Sequence, residues 1–213
     1  MKKLLPLLLI NLSFISTIQS HSASEPERIS FVKNMGQWDH NVLYKAAIGG
    51  GSVWLEQGKM SFVFHNQEDM ENAHKSRHNK GSLAKENKIR SHAYRLAFIN
   101  SNIEHGNIPT DKIETIHNYF LGSDPSKWAG NVPLYHEVKY PNIYSNIDLK
   151  IYSSDDGYFK YDYIVKPGAS IANIQWQYEG IEATIKNGRI ILPSHAGEVV
   201  EQKPYAYQLI NGE

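Results

Sequence analysis

Apolar and polar residues alternate with a period of two along most of this chain. Met60, Phe62 and Phe64 alternate with smaller residues, and residues 147–151 and 159–165 show the same alternation. A period of two places successive side chains on opposite faces of a β-strand. Short breaks that contain glycine separate many of the runs, as hairpins require. The pattern predicts an all-β chain built as an antiparallel β-sandwich.

The length of the chain leaves the number of β units open. Residues 23–213 suit either one large sandwich or two packed β units, and a subdivision would fall near residues 109–112. Residues 66–90 are rich in charged side chains and contain almost nothing apolar. Such a segment buries too little surface to offset its ordering entropy. We therefore expect one polar insert there, a solvated loop, mobile or partly helical, between two strands.

The composition excludes several classes of protein. The 213 residues include 22 Lys or Arg, 22 Asp or Glu and no Cys, so the formal net charge is zero. A nucleic-acid-binding domain is usually basic, and we expect no nucleic-acid partner. The lack of Cys excludes a disulfide scaffold, a thiol nucleophile and the cysteine-based zinc sites. The fold must therefore be stabilised by burying aromatic and β-branched side chains.

The first 22 residues have the pattern of a secretory signal peptide. Lys2 and Lys3 form a basic start, a broken apolar run follows, and small residues stand at Ser20 and Ser22. Cleavage is expected after one of these two serines. The alternative is a short membrane anchor, although the run is shorter than the about 20 apolar residues of a spanning helix. We predict a signal peptide at 1–22, a secreted or cell-surface location, and no membrane span in the mature chain.

Three tryptophans and three turn residues are predicted to act as structural anchors. A helical turn is expected at residues 123–128, because Ser123 or Asp124 can cap it and Pro125 suits the first helical position. Trp128 would then fold its ring back onto the sheet. A type II turn is expected where Pro-Gly closes a strand near residue 167. The predicted anchors are Trp38, Trp128, Trp176, Gly36, Pro167 and Gly168.

The end of the sequence has a hairpin signal. Asn211 and Gly212 follow an apparent strand and favour a tight turn, yet the sequence stops at Glu213. A turn of this kind needs a second strand after it. We therefore expect this sequence to be the N-terminal piece of a longer protein, the alternative being a final strand with a frayed tail.

Five ordered blocks resemble one protein family. Residues 31–38 (FVKNMGQW) resemble its opening F-x-x-N-x-G-Q-W/F signature, and residues 118–128 (NYFLGSDPSKW) resemble its central N-Y-F-x-G-x-D-P-x-x-W block. Residues 140–152, 160–169 and 201–208 resemble three further blocks in the same order. The family is an uncharacterised β-rich N-terminal domain of large exported bacterial proteins.

The resemblance implies a cell-surface or secreted multidomain protein. Members of the family often continue into PKD-like or other Ig-like modules or propeller-type repeats, and many end in a sorting domain of gliding motility and type IX secretion. The resemblance implies no reaction and no catalytic residues.

Asp148 and Asp162 form the one candidate catalytic pair. They fall on adjacent predicted strands, where two carboxylates could act in glycoside hydrolysis. Lys150 and Lys160 lie two residues away from them, which favours a cross-strand ladder of Asp and Lys on a polar sheet face. The phosphate-loop and serine-nucleophile motifs are missing from the sequence. We predict no catalytic residues, no metal site and no cofactor.

Exposed aromatic rings are the remaining candidates for binding. Trp54 and Tyr152 are expected on the faces opposite the aliphatic residues of their strands, where rings can stack on sugars. The preferred hypothesis is a non-enzymatic N-terminal β module of a large secreted or cell-surface protein, for adhesion, assembly or display. The alternative is a carbohydrate-binding module of a secreted polysaccharide-acting protein. The expected partners are a glycan or another cell-surface protein, and downstream domains of the same polypeptide.

Overall fold

The computed structural model describes residues 7–16, 27–78, 88–102 and 106–209. These residues form one helix, α1 (Gln67–His78), two 3-10 turns (Pro125–Lys127 and Ile171–Asn173) and fifteen strands. The strands are β1 (Leu7–Ser16), β2 (Phe31–Lys33), β3 (Val42–Ile48), β4 (Gly51–Glu56), β5 (Lys59–His65), β6 (Ser91–Phe98), β7 (Ile108–Tyr119), β8 (Ala129–Tyr144), β9 (Ile147–Ser153), β10 (Phe159–Val165), β11 (Trp176–Glu179), β12 (Thr184–Lys186), β13 (Arg189–Ser194), β14 (Gly197–Glu201) and β15 (Tyr205–Leu209). The prediction of an all-β chain is confirmed.

The strands form one large curled sheet and a small second sheet. The large sheet has the order β11-β6-β5-β4-β3-β2-β8-β9-β10-β1, with β7 paired to β8 and β15 paired to β1. The small sheet contains β12, β13 and β14, and β14 pairs with the end of β1. Every neighbouring pair is antiparallel, as the alternation predicts.

The core lies inside the curl of the large sheet. Phe62 on β5 stacks on Tyr94 of the neighbouring β6, with ring centroids 5.0 Å apart. The same Phe62 meets Phe159 of β10 edge-on at 5.8 Å, although five strands separate β5 from β10 in the sheet order. Contact between strands so far apart requires the sheet to bend over its own inner face. Buried aromatic rings therefore fill the interior.

One glycine marks a close approach between two strands. Gly51 opens β4 opposite Phe64 of β5. A Cβ at this position would lie 1.9 Å from the carbonyl oxygen of Val63, which is far inside van der Waals contact. The hairpin predicted from the alternation at 53–64 therefore depends on the absence of a side chain at residue 51.

The polar insert begins as a helix. The side chain of Asn66 accepts a hydrogen bond from the Asp69 backbone N–H at 3.1 Å, which caps the start of α1. Arg90 pairs with Asp69 at 2.7 Å and joins the helix to the start of β6. The partly helical alternative expected for this insert is found at residues 67–78, where the cap and the ion pair stabilise a helix that has no apolar periodicity. Residues 79–87 lie outside the described ranges.

Two predictions about chain organisation fall on particular strands. Leu7–Ser16, in the middle of the predicted signal peptide at 1–22, forms β1, and the rest of that segment lies outside the described residues. The suggested subdivision at 109–112 falls inside β7, which runs from Ile108 to Tyr119. The hairpin signal at 211–212 is also outside the described ranges. Among the described residues, no helical segment has the length and hydropathy of a membrane span.

Candidate functional site

A hydrogen-bonded loop between β2 and β3 positions Trp38. The Asn34 side-chain amide donates to the carbonyl oxygens of Asp39 and Val42, each at 2.8 Å. Its carbonyl oxygen accepts from the N–H of Gly36 at 3.0 Å and from that of Trp38 at 3.3 Å. Gly36 has φ +107°, a conformation that side chains disfavour. The N-x-G-Q-W motif therefore builds a loop that fixes the tryptophan.

Three aromatic residues from different parts of the chain meet around this loop. We call Trp38, Trp54 and Tyr119 the aromatic cluster. The Trp38 ring meets Trp54 and Tyr119 edge-on, with centroids 5.5 Å apart in both pairs. Lys45 holds its ammonium group 4.3 Å from the Trp54 ring and 5.9 Å from the Trp38 ring. The arrangement is a cation–π site, in which the ring faces attract the positive charge.

Trp38 and Tyr119 of the aromatic cluster line a broad cleft of about 740 Å³. One wall is the outer strand β7, which contributes Ile113, His117 and Tyr119, and the opposite wall includes Trp38 and Lys45. This volume lies within the range of about 300–1,000 Å³ that is usual for small-molecule sites. The cleft combines apolar and polar walls, as ligand sites do.

A second apolar cluster lies beneath the cleft. Val32, Ala129, Val132 and Leu134 are buried together, and Val32 and Leu134 also line the cleft. The register explains the cluster, because Val32 is opposite Leu134 in the β2–β8 pair, while Val132 is opposite His117 in the β7–β8 pair. The floor of the cleft is therefore built from the buried residues of paired strands.

Basic groups outnumber acidic groups in the cleft lining. Arg28, Lys45 and Lys127 are the basic residues, and Glu27 is the acidic one. Arg28 is already paired, with its guanidinium 2.8 Å from a carboxylate oxygen of Asp111. Lys45 has no ion pair with any residue in the described part of the chain. The cleft therefore keeps an uncompensated cation beside its aromatic wall.

The two residues predicted to bind a ligand lie apart. Trp54 on β4 belongs to the aromatic cluster, while Tyr152 lies on β9, and β3, β2 and β8 separate the two strands. The Tyr152 ring has Lys150 4.6 Å from its centroid. The sequence analysis did not predict a ligand-binding role for Trp38, Lys45 or Tyr119. Alternation places Lys45 on the outer face with Trp54, but only the β3–β4 register shows that they are opposite each other.

Asp148 has the environment of a structural ion pair. It is buried, and its carboxylate lies 3.1 Å from the Lys139 ammonium and 2.5 Å from that of Lys166. It also accepts a hydrogen bond from the Asn142 backbone N–H at 2.8 Å. Burial by itself raises the pKa of Asp148, but these donors outweigh it and hold the pKa below its ordinary value. The group stays ionised, whereas a general acid at neutral pH needs a raised pKa.

Asp162 is part of the same polar face. It is buried on β10 and lies opposite Lys150 in the β9–β10 register, and Lys150 in turn pairs with Glu137 at 2.8 Å. The ladder of acids and lysines that the sequence favours is present in these contacts. Within the ranges that the structure describes, no group of three or more His, Asp or Glu is placed to hold a metal ion.

The predicted anchors differ in what they contact. Trp176 stacks on Tyr163 of β10, with centroids 6.2 Å apart, and packs against the main core. Trp128 is 43% exposed and meets the exposed ring of Phe120 at 5.9 Å. Its indole N–H donates a hydrogen bond to the Gly122 carbonyl oxygen at 3.3 Å, across the local turn. Pro167 and Gly168 form the expected turn, with φ +83° at the glycine.

The interior contains a buried acid that sequence patterns miss. Glu201, at the end of β14, is 1% exposed. Its carboxylate accepts hydrogen bonds from the hydroxyls of Tyr161 at 2.9 Å and Tyr178 at 2.7 Å. Burial raises the pKa of Glu201, and the two hydroxyls oppose that rise. Because an acid in a short strand normally faces solvent, no local signal marks this one.

The fold and the cleft together define a class: an all-β module with an aromatic and basic cleft on its outer face. A family model described as "Domain of unknown function (DUF7948)" matches residues 31–213. The chain belongs to this family. A comparison with curated proteins and another with solved structures each gave no match.

Proposed function

We propose that this chain is a non-enzymatic β module of a large exported protein and serves in adhesion, assembly or display. The cleft is its contact surface. The observation that carries the proposal is the cleft itself, in which Trp38 and Tyr119 stand beside the uncompensated Lys45 over a buried apolar floor. Rigid aromatic side chains give a large contact area at a low cost in conformational entropy.

The location of the module is part of the proposal. The basic start and apolar run of residues 1–22 support export. The resemblance to N-terminal domains of exported bacterial proteins supports a cell-surface or secreted multidomain protein that leaves through type IX secretion and takes part in gliding motility. Downstream domains of the same polypeptide and surface components of the cell are then its partners.

A surface-binding assay tests the contact role of the cleft. Fluorescently labelled chain is titrated onto intact cells of the producing organism, and saturable binding is expected. Trp38→Ala is expected to weaken binding about tenfold or more, since it removes the ring that joins the aromatic cluster. Tyr158→Ala is the matched control, because Tyr158 is 41% exposed but is not part of the cleft lining. Equal binding by both variants would contradict the proposal.

A second candidate function is carbohydrate binding by a module of a secreted polysaccharide-acting protein. The specific observation in its favour is the aromatic cluster, since indole and phenol rings stack on sugars while nearby polar groups bind hydroxyls. His117 and Gln37 line the cleft and could supply such groups. Trp54 supports this function because it packs against Trp38. Tyr152, in contrast, lies too far along the sheet to share the site.

Chemical treatment of the cell surface separates the two candidates. Periodate destroys vicinal diols of sugars, whereas a protease removes protein partners. Loss of binding after periodate alone, together with glycan-array binding that disappears in Trp54→Ala, would support carbohydrate recognition. Loss of binding after protease alone would support a protein partner and exclude the glycan candidate.

A further inference from the structure

β1 joins the two sheets. Residues Leu8–Ser13 pair with Val165–Lys160 of β10 on one side, and Leu7–Asn11 pair with β15 on the other. The last residues of β1, Phe14–Ser16, pair with β14. Among the strands that the structure describes, no other strand pairs with β10 on that side. Without β1, the backbone groups of this edge of β10 would lack partners.

β1 also lies inside the segment that the sequence marks for removal on export. We propose that the exported chain has an open strand slot between β10 and the β14–β15 side, and that this slot accepts an extended strand donated by another polypeptide. The inference rests on export, which is part of the proposed function, but it concerns a different surface from the cleft. Addition of a strand to an open sheet edge is a general mode of peptide recognition.

The strands around the slot are held in place by contacts that do not involve β1. The Glu201 carboxylate at the end of β14 accepts hydrogen bonds from Tyr161 on β10 and from Tyr178 on β11. Val199 of β14 and Leu192 of β13 are buried in the main core. Neighbouring strands lie about 4.8 Å apart, so β15 would have to move by about one strand spacing to reach β10. The Glu201 hydrogen bonds and the core packing oppose such closure.

The walls of the slot specify the chemistry of the donated strand. Val165, Tyr163 and Tyr161 of β10 face the core, so the residues opposite them must be apolar. Asp162 and Lys160 point to the other face, where polar residues are tolerated. β1 matches this pattern: Leu8, Ile10 and Leu12 are opposite the three core residues, while Asn11 and Ser13 are opposite the two polar ones. The occupant is therefore an antiparallel strand of about ten residues with alternate apolar positions.

The test uses the full coding sequence, exported by a bacterial host and purified after export. Mass spectrometry first determines the N-terminus of the product. A synthetic peptide with the sequence of Leu7–Ser16 and added terminal lysines is the probe. Since the chain has no Cys, Lys160→Cys gives a single thiol, and a peptide with Ser13→Cys should form a disulfide with it when dissolved oxygen is supplied as the oxidant. The matched control peptide carries Leu12→Cys, whose side chain faces the opposite side of the strand.

We expect a product that starts after residue 20 or 22, a disulfide with the first peptide only, and slower hydrogen exchange at the β10 amides when peptide is bound. A peptide with Ile10→Pro and Leu12→Pro should bind about tenfold or more weakly, because it lacks two donors of the ladder.

Two results would overturn the slot. The first is a product that retains residues 1–22, because β1 then occupies the slot itself. Binding through the cleft is measured separately and is unaffected by this result. The second is a processed product that forms no register-specific disulfide or whose β10 amides are already protected. Removal of residues 1–22 would in that case still support export, so the two failures are distinguishable.

Discussion

Two tyrosines that donate to Glu201 and a third that does not should respond differently to loss of the hydroxyl group. Tyr161→Phe removes a hydrogen bond of 2.9 Å to the buried Glu201 carboxylate, and Tyr178→Phe removes one of 2.7 Å. A hydrogen bond to a charged group contributes about 1.5–3 kcal/mol, so each variant should lower the free energy of unfolding by that amount. The double variant should lose about 3–6 kcal/mol, because the carboxylate loses both hydroxyl donors.

Tyr163→Phe is the matched control. Tyr163 is fully buried on the same strand as Tyr161, but its hydroxyl has no hydrogen-bond partner among the described residues. Its removal should leave the free energy of unfolding unchanged or raise it, since an unsatisfied buried hydroxyl is itself destabilising. Urea denaturation at neutral pH, followed by tryptophan fluorescence, measures all the variants. Equal losses for Tyr161→Phe and Tyr163→Phe would refute the assigned role of Glu201.

Three other perturbations have defined outcomes. Burial raises the pKa of Glu201 above 4.5, so the folded state binds the proton more tightly than the unfolded state does. The free energy of unfolding should therefore fall as pH rises from 4.5 through the pKa of the folded state. Glu201→Gln should remove this fall in urea titrations across pH. Gly51→Ala should lower the thermal midpoint by several degrees or prevent folding, because its Cβ would meet the Val63 carbonyl oxygen at 1.9 Å; an unchanged midpoint would contradict the close approach. Asn34→Ala removes five loop hydrogen bonds and should weaken surface binding as Trp38→Ala does, as the same cell-titration assay will show.

The strands and turns are the part of the fold that the sequence predicts well. The alternation at Met60, Phe62 and Phe64 gives β5 its buried face, and the Pro-Gly pair ends β10 in the expected turn. These features are local, because a strand's face depends on a period of two and a turn depends on the residues within it. Helix α1 is also local, but its stability comes from the Asn66 cap and the Arg90 ion pair, and so it lacks an apolar stripe to detect.

The candidate site depends on pairings between distant segments. Trp38, Trp54 and Tyr119 come from a loop, β4 and β7, and the sequence alone gives no register that brings them together. Glu201 is similar, since its tyrosine partners are 40 and 23 residues away along the chain. Alternation identifies which residues share a face of one strand. Which faces of different strands come into contact depends on the curl of the sheet and on the strand order.

Titration of labelled chain onto intact cells, with three variants side by side, measures the contribution of the cleft to binding. Trp38→Ala and Lys45→Ala are expected to lose binding about tenfold or more while Tyr158→Ala retains it. The three variants should keep the circular-dichroism spectrum of the parent chain, so that any loss reflects the cleft. Retention of binding by Trp38→Ala and Lys45→Ala, with folding intact, would contradict the claim that this cleft is the contact surface.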